Sequence, residues 1–176
     1  MRRGNCLITK FQQFILKLYK EERQLFIFWC IAALLLVGFV FTRYYGFIIN
    51  FTQSLPEKLF IYKYDDLNLN RNDTAVIVAE GLPNVSDGIK LIKRVNGFAG
   101  DKITVRGNNL YINEKLILSH FDTKAYWGDL HKIKDQVIPE NCYFINGVSQ
   151  HSFDSRYAEV GLVCKERIVG KAWALF

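Results

Sequence analysis

Metal-binding signatures are what this chain most clearly lacks. There is no Cys-x-x-Cys or His-Glu-x-x-His spacing, and the three histidines, His120, His131 and His151, are scattered. No metal site is expected, and no cofactor. Internal repeats and low-complexity linkers are absent too, which points to one modest domain behind whatever anchors it. A helix-turn-helix segment is missing, and residues 43–176 hold 17 Lys plus Arg against 15 Asp plus Glu. That near balance argues against nucleic acid as a partner of the folded domain.

The excess charge sits elsewhere. Residues 1–23 carry Arg2, Arg3, Lys10, Lys17, Lys20 and Arg23 against Glu21 and Glu22, followed by the uncharged run Leu25 to Thr42. As helix that run spans roughly 27 Å at 1.5 Å per residue, close to a bilayer core. No small-x-small cleavage pattern follows before Arg43, so 25–42 reads as a transmembrane helix rather than a removed signal peptide. The positive-inside bias places the N-terminus in the cytoplasm and exports the remainder. Leu7, Ile8, Phe11, Phe14, Ile15 and Leu18 recur at helical spacing in the basic segment, as in an interfacial helix. Tyr44 and Tyr45 suit an outer aromatic belt, and Phe47 to Phe51 is apolar enough to dip into the interface.

Beyond the anchor, residues 47–176 read as one mainly β domain. Short β-type runs, Leu59 to Tyr64, Thr74 to Ala79, Ile89 to Val95, Lys102 to Val105, Asn109 to Ile112, Tyr143 to Ile145 and Lys171 to Leu175, alternate with turn residues. Gly107 and Asn108 supply turn chemistry for a hairpin from Thr104 to Ile112. Residues 113–139 are more polar and read as a mainly solvated excursion. Of four cysteines, Cys6 and Cys30 precede the domain, whereas Cys142 and Cys164 flank one loop. The pair is read either as two buried thiols or as a disulfide stapling the legs of that loop.

The most informative residue is a lysine. In Ile89-Lys-Leu-Ile-Lys-Arg-Val95, strand alternation puts Lys93 on one face with Ile89, Leu91 and Val95, and Lys90, Ile92 and Arg94 on the other. Burial disfavours the ammonium form, so Lys93 becomes a candidate general base near neutral pH. A lysine snorkelling out at the strand end is the alternative that the strand alone leaves open. Upstream, Thr52-Gln-Ser-Leu-Pro56 offers two hydroxyls, with Ser54 the candidate nucleophile. Downstream, Ser149-Gln-His-Ser-Phe-Asp-Ser-Arg156 packs three serines, an aspartate and an arginine into one loop.

Together these segments resemble the type I signal peptidases, the Ser-Lys leader peptidases of family S26. Ile92-Lys-Arg-Val-Asn-Gly-Phe-Ala-Gly-Asp101 resembles their lysine box, Ser152-Phe-Asp-Ser-Arg156 their Ser-x-Asp-Ser-Arg box and Ser54-Leu-Pro56 their serine box, in the family's order. Ala99 stands where proline is usual, Gly147-Val-Ser149 where Gly-Asp-Asn is common, and Glu57-Lys58 where a glycine often follows the proline; none removes a reacting group. Proline two places after the serine is most similar to the TraF-like pilin peptidases of conjugative transfer.

The resemblance implies a coiled β-barrel and a serine endopeptidase, with its catalytic domain outside a bacterial cytoplasmic membrane. It also implies roles: Ser54 as nucleophile, Lys93 as base, Thr52 and the Ser54 backbone N–H as oxyanion donors, Ser152 orienting the lysine, and Asp154 with Arg156 as structural support. Gly97, Gly100 and Asp101 read as turn-formers, and His151 as a bystander. Expected partners are the lipid bilayer, an exported precursor or pilin, and a conjugative transfer apparatus. A general signal peptidase acting on many secreted proteins is the enzymatic alternative, and a catalytically idle scaffold of the transfer apparatus is the alternative of another class.

Overall fold

The structure, a computed structural model, describes residues 4–83, 85–121, 124–125 and 128–176, with side chains described for 19–83, 85–121 and 130–176. The apolar stripe from Leu7 to Leu18, Arg2, Arg3 and Cys6, and the charges at Asp122, Lys124 and Asp129 lie outside the described side chains.

Gly4–Tyr44 forms one uninterrupted helix, α1, so the basic segment and the apolar run share a single element. Within it Tyr19–Tyr44 is long and apolar enough to cross a membrane. Its large apolar side chains, among them Phe26, Trp29, Leu34 and Phe39, are exposed. That pattern suits a helix whose solvent is lipid rather than water.

The second unit, Tyr45–Phe176, is built from β-strands. In chain order they are β1 Tyr45–Ile49, β2 Leu59–Lys63, β3 Thr74–Val78, β4 Lys90–Gly97, β5 Lys102–Arg106, β6 Asn109–Ile112, β7 Lys115–Leu118, β8 Lys124–Ala125, β9 Gly128–Asp129, β10 Gln136–Val137, β11 Cys142–Asn146, β12 Val163–Cys164 and β13 Ile168–Ala174. The main sheet has the order β1-β2-β13-β3-β4-β11-β12, and β10-β5-β6-β7 form a second. Pairing is antiparallel throughout both. The Gly107-Asn108 hairpin forms as the turn chemistry predicts, with Arg106 facing Asn109.

β3 lies near the centre of the main sheet, and its Ala75, Val76 and Ile77 are all fully buried, so both sheet faces are covered. One face packs Ala75 and Ile77 with Val95 and Ile145; the other packs Val76 with Phe60, Tyr62 and Ile92. The face opposite Lys93, which also carries Lys90 and Arg94, is therefore a second core, which is why Ile92 fits among charged neighbours in sequence. A third cluster joins Ile103, Leu110 and Ile112 to Phe144, Phe153 and Tyr157.

That third cluster also corrects the reading of residues 113–139. Phe121, Leu130, Ile133 and Ile138 are buried in it, and β10 pairs with β5. Irregular spacing among charges hid four core residues. Cys142 and Cys164 face each other across β11 and β12 and form a disulfide. Closing a loop of that size is worth about 3 kcal/mol in the chain-entropy account, and here the loop carries Ser152. Gly97 ends β4 rather than opening a turn. A Cβ there would lie 2.6 Å from Ile138 Cδ1 and 2.7 Å from Phe144 Cβ, so glycine is needed for close packing. Gly100, at φ +84°, makes the turn itself, and Asp101 closes it by accepting from Phe98 N at 2.7 Å and from Arg71 and Asn113.

Candidate active site

Three segments meet at Lys93. β4 supplies the lysine, the turn after β1 supplies Asn50 to Ser54, and the loop after β11 supplies Ser152. β11 pairs with β4 only as far as Asn146 opposite Arg94, then turns away at Gly147. The Lys90 to Lys93 stretch of β4 is thereby left beside a cleft of about 820 Å³, lined by apolar residues such as Ile48, Leu91, Ile92 and Phe153 around Thr52, Ser54, Lys93 and Ser152.

Ser54, Lys93 and Ser152 are buried at 5%, 3% and 3% exposure. Lys93 Nζ lies 2.6 Å from Ser54 Oγ and 2.9 Å from Ser152 Oγ. The lysine does not snorkel out; two uncharged hydroxyls hold its amine inside. Burial lowers its pKa from 10.5 to about 8, with Asp154 pulling it up and Arg156 pushing it down. Thr52 Oγ1 is 2.8 Å from Ser54 Oγ, so its hydroxyl faces the same oxygen. His151 lines the cleft and is exposed, but the amine on Ser54 Oγ belongs to Lys93.

The Ser152 loop is held by a buried ion pair. Arg156 donates from Nε to Asp154 Oδ1 at 2.7 Å and from Nη2 to Asp154 Oδ2 at 2.9 Å, and both residues are almost fully buried. The same pair ties down the loop backbone. Gly147 N donates to Asp154 Oδ2 at 2.7 Å, while Arg156 donates to Gly147 O at 3.0 Å and Gln150 O at 3.1 Å. Val148 N then donates to Ser54 O at 2.7 Å, locking the two loops together. Gly147 cannot carry a side chain: a Cβ would collide with Ser152 Oγ and come within 2.7 Å of Ser54 O. Arg94, across the sheet, pairs with Glu57 at 3.3 Å.

Sequence reasoning missed Asn50. It is buried and organises the serine turn, donating from Nδ2 to Leu55 O at 3.0 Å and Glu57 O at 3.1 Å and accepting from Thr52 Oγ1 at 2.9 Å. An asparagine two residues before a threonine gives no periodic signal. Its capacity for local side-chain to backbone bonding was the available hint.

Comparison with known proteins follows the same lines. The family described as "Signal peptidase, peptidase S26" matches residues 19–176. A signal peptidase I of Bacillus licheniformis is 30% identical over 161 residues, covering 83% of this chain and 82% of that protein. Signal peptidase I T of Bacillus subtilis (strain 168) is 28% identical over 176 residues, covering 90% and 85%. A crystal structure of a signal peptidase I from Enterococcus faecalis V583 aligns with a TM-score of 0.39 and 22% identity, over 61% of this chain and 98% of that one. With a family match that runs from the apolar helix through the last strand, this chain belongs to the S26 signal peptidases, serine endopeptidases of the type I class, and carries the helix that anchors it in a membrane.

Proposed function

We propose that Ser54 and Lys93 form the catalytic dyad, and that the chain cleaves exported precursor proteins at the outer surface of a bacterial cytoplasmic membrane. The observation that carries this reading is the 2.6 Å hydrogen bond between a buried lysine amine and a buried serine hydroxyl. With a pKa of about 8, Lys93 is neutral in roughly a tenth of molecules at pH 7, about 300 times the fraction for an ordinary lysine. That neutral amine takes the Ser54 proton as Oγ attacks the scissile carbonyl. Thr52 and the Ser54 backbone N–H donate to the oxyanion, each such donor being worth about 3 to 4 kcal/mol in the transition state. Collapse of the tetrahedral species passes the proton from Lys93 to the leaving amine, and water activated by Lys93 then hydrolyses the acyl-enzyme. Ser152 holds the amine in line, and Asp154 with Arg156 hold Ser152. The unpaired edge of β4 beside the cleft suits an extended peptide that adds as a strand.

At the finer level the substrate is a pilin precursor of a conjugative transfer system. The support is the compact Ser54-Leu-Pro56 box. The α-amine of a pilin folded as a hairpin competes with water for the acyl-enzyme, giving a head-to-tail circle. General signal-peptide removal is the second reading, favoured by the signal peptidase I relatives matched over more than four fifths of their length.

The test is incubation of the membrane-embedded protein with co-encoded pilin precursors and with ordinary secretory precursors, read by intact mass. Cleavage by wild type, and its loss in Ser54→Ala, Lys93→Ala and Lys93→Arg, is expected, since guanidinium does not deprotonate at working pH. Substantial turnover by Lys93→Arg overturns the dyad. A product lighter by one water than the linear pilin identifies cyclisation, and cutting of secretory precursors alone selects the second reading.

A further inference from the structure

The serine turn contains more order than a nucleophile requires. Between Asn50 and Lys58 the backbone closes through Asn50 N donating to Lys58 O at 2.7 Å. Inside that closure both amide hydrogens of Asn50 go to main-chain carbonyls, Leu55 O and Glu57 O, on either side of Pro56. Carbonyls only accept, so these two partners fix which way the amide points. Oδ1 must then face Thr52, and Oδ1 only accepts. The single hydroxyl hydrogen of Thr52 is therefore directed at Asn50, over 2.9 Å.

Counting hydrogens settles the next contact. Thr52 Oγ1 and Ser54 Oγ are 2.8 Å apart, and either can donate in principle. With the Thr52 hydrogen committed to Asn50, Ser54 must be the donor. Ser54 in turn accepts from the Lys93 ammonium at 2.6 Å. The row runs one way: Lys93 donates to Ser54, Ser54 to Thr52, and Thr52 to Asn50 Oδ1. While Lys93 is protonated, the nucleophile's hydrogen points away from its base. Once Lys93 is neutral, the Ser54 hydrogen turns to Nζ, and Asn50 still keeps the Thr52 hydrogen off the attacking oxygen. An oxyanion, a charged acceptor and so a stronger one, draws that hydrogen away when it forms.

We propose that Asn50 is a positioning residue that sets the direction of the Lys93–Ser54–Thr52 hydrogen-bond row and holds the Thr52 hydroxyl in reserve for the oxyanion. This rests on the Ser54–Lys93 reading above. Aspartate cannot replace it, having no hydrogens for the two carbonyls, and glutamine is a methylene too long. The acceptor on Asn50 also favours the protonated state of Lys93. Without it, the row that satisfies every hydroxyl is the reversed one, Thr52 to Ser54 to neutral Lys93. The charges facing Lys93 from the Ser152 loop, Asp154 and Arg156, are paired with each other and are the same in either case, as are Lys90 and His151 at the cleft.

The test is a double-mutant cycle in the full-length, membrane-embedded enzyme. It uses Asn50→Ala, Thr52→Val and the double variant, with the pH dependence of kcat/KM on a precursor peptide as the readout. Asn50→Ala is expected to lower kcat about tenfold with KM little changed, and to move the acidic limb, where activity falls as Lys93 is protonated, down from about 8 by roughly half a unit to one unit, the scale of one hydrogen bond. In the Thr52→Val background the same substitution should move the limb no further, because the effect passes through the Thr52 hydroxyl. A merely slackened turn lowers activity without moving the limb, and that outcome overturns the proposal. So does a shift that persists in Thr52→Val. If Asn50→Ala fails to fold, Thr52→Val alone decides, since it too must lower the limb. Ser54→Ala and Lys93→Ala run alongside: their inactivity with an unmoved Asn50→Ala limb sinks this inference alone, and an active Lys93→Ala sinks the dyad beneath it.

Discussion

At the start of β4, Lys90 stands exposed with Nζ 2.6 Å from Tyr62 Oη and over the rings of Tyr62 and Tyr64, 5.0 and 5.3 Å from their centroids. Three residues on, Lys93 is buried between two serine hydroxyls. The Tyr62 hydrogen bond raises the pKa of Lys90, whereas burial lowers that of Lys93 to about 8. Residue type and strand are the same, so the difference comes from what surrounds each amine. π-faces and water stabilise an ammonium without displacing its solvent. Hydroxyls in a core accept it only weakly, and desolvation wins. Asp154 would reverse that result, but its two oxygens are already taken by Arg156. Lys93 stays usable as a base because another cation neutralises the nearby carboxylate.

Arg156→Leu breaks the comparison most severely. It leaves Asp154, fully buried, without its guanidinium, and losing one partner of a buried pair typically costs about 3 to 5 kcal/mol. Urea denaturation of the detergent-solubilised protein measures that loss. In the molecules that still fold, Asp154 turns its charge on Lys93, so the acidic limb of kcat/KM must rise above about 8. A limb that stays put would show that Asp154 has no electrical hold on the lysine.

Lys93→Met sharpens the comparison through stability instead of rate. A lysine whose folded pKa lies below its unfolded value costs stability wherever the unfolded chain is protonated and the folded one resists it. The penalty is full below about pH 8 and fades as pH rises through 10.5. From 10.5 to about 8 it amounts to about 3 kcal/mol. Methionine removes that penalty and also the two hydrogen bonds, worth about 1 kcal/mol each. The variant is therefore inactive yet slightly more stable than wild type at about pH 7, and less stable at about pH 11. Denaturant midpoints at the two pH values check the crossover; parallel curves would mean that Lys93 is not desolvated.

How much of this was legible depended on whether a residue's partners lie along a regular element. Lys93 was visible because strand alternation placed it among Leu91 and Val95. Ser54 and Ser152 were visible through motif resemblance, and the strands from Leu59 and Thr74 through their β-branched and aromatic runs. The burial of Ile92 was not, because a sheet covered on both faces has no polar side for alternation to reveal. Phe121, Leu130, Ile133 and Ile138 reach the core from irregular segments, where spacing in sequence carries no period. Asn50 acts through carbonyls five and seven residues away in a turn, and only coordinates show that.

Lys90→Met is the mildest perturbation and the one that tests whether the two lysines are independent. Three residues of strand separate them by about 10 Å, Lys90 is exposed to solvent, and the shift of Lys93 comes from burial, Asp154 and Arg156. Their side chains also leave opposite faces of the sheet. Removing the Lys90 charge should therefore leave the acidic limb of kcat/KM within a few tenths of a unit of its wild-type position. Stability should fall by no more than about 1 kcal/mol, the scale of an exposed cation–π contact. That small loss should be present at neutral pH, where Lys90 is an ammonium in either state. It should vanish only above the raised pKa, where wild type loses the charge as well. Thermal unfolding at neutral and strongly alkaline pH, paired with the kinetic pH profile, reads both quantities. A downward move of the limb by a full unit would mean that the Lys90 ammonium helps hold the proton on Lys93, the reverse of like-charge repulsion, and an upward move of that size would mean that repulsion reaches along the strand. Either result would make the neutral amine of Lys93 a property of the whole cleft instead of the hydroxyls and the Asp154–Arg156 pair packed around it.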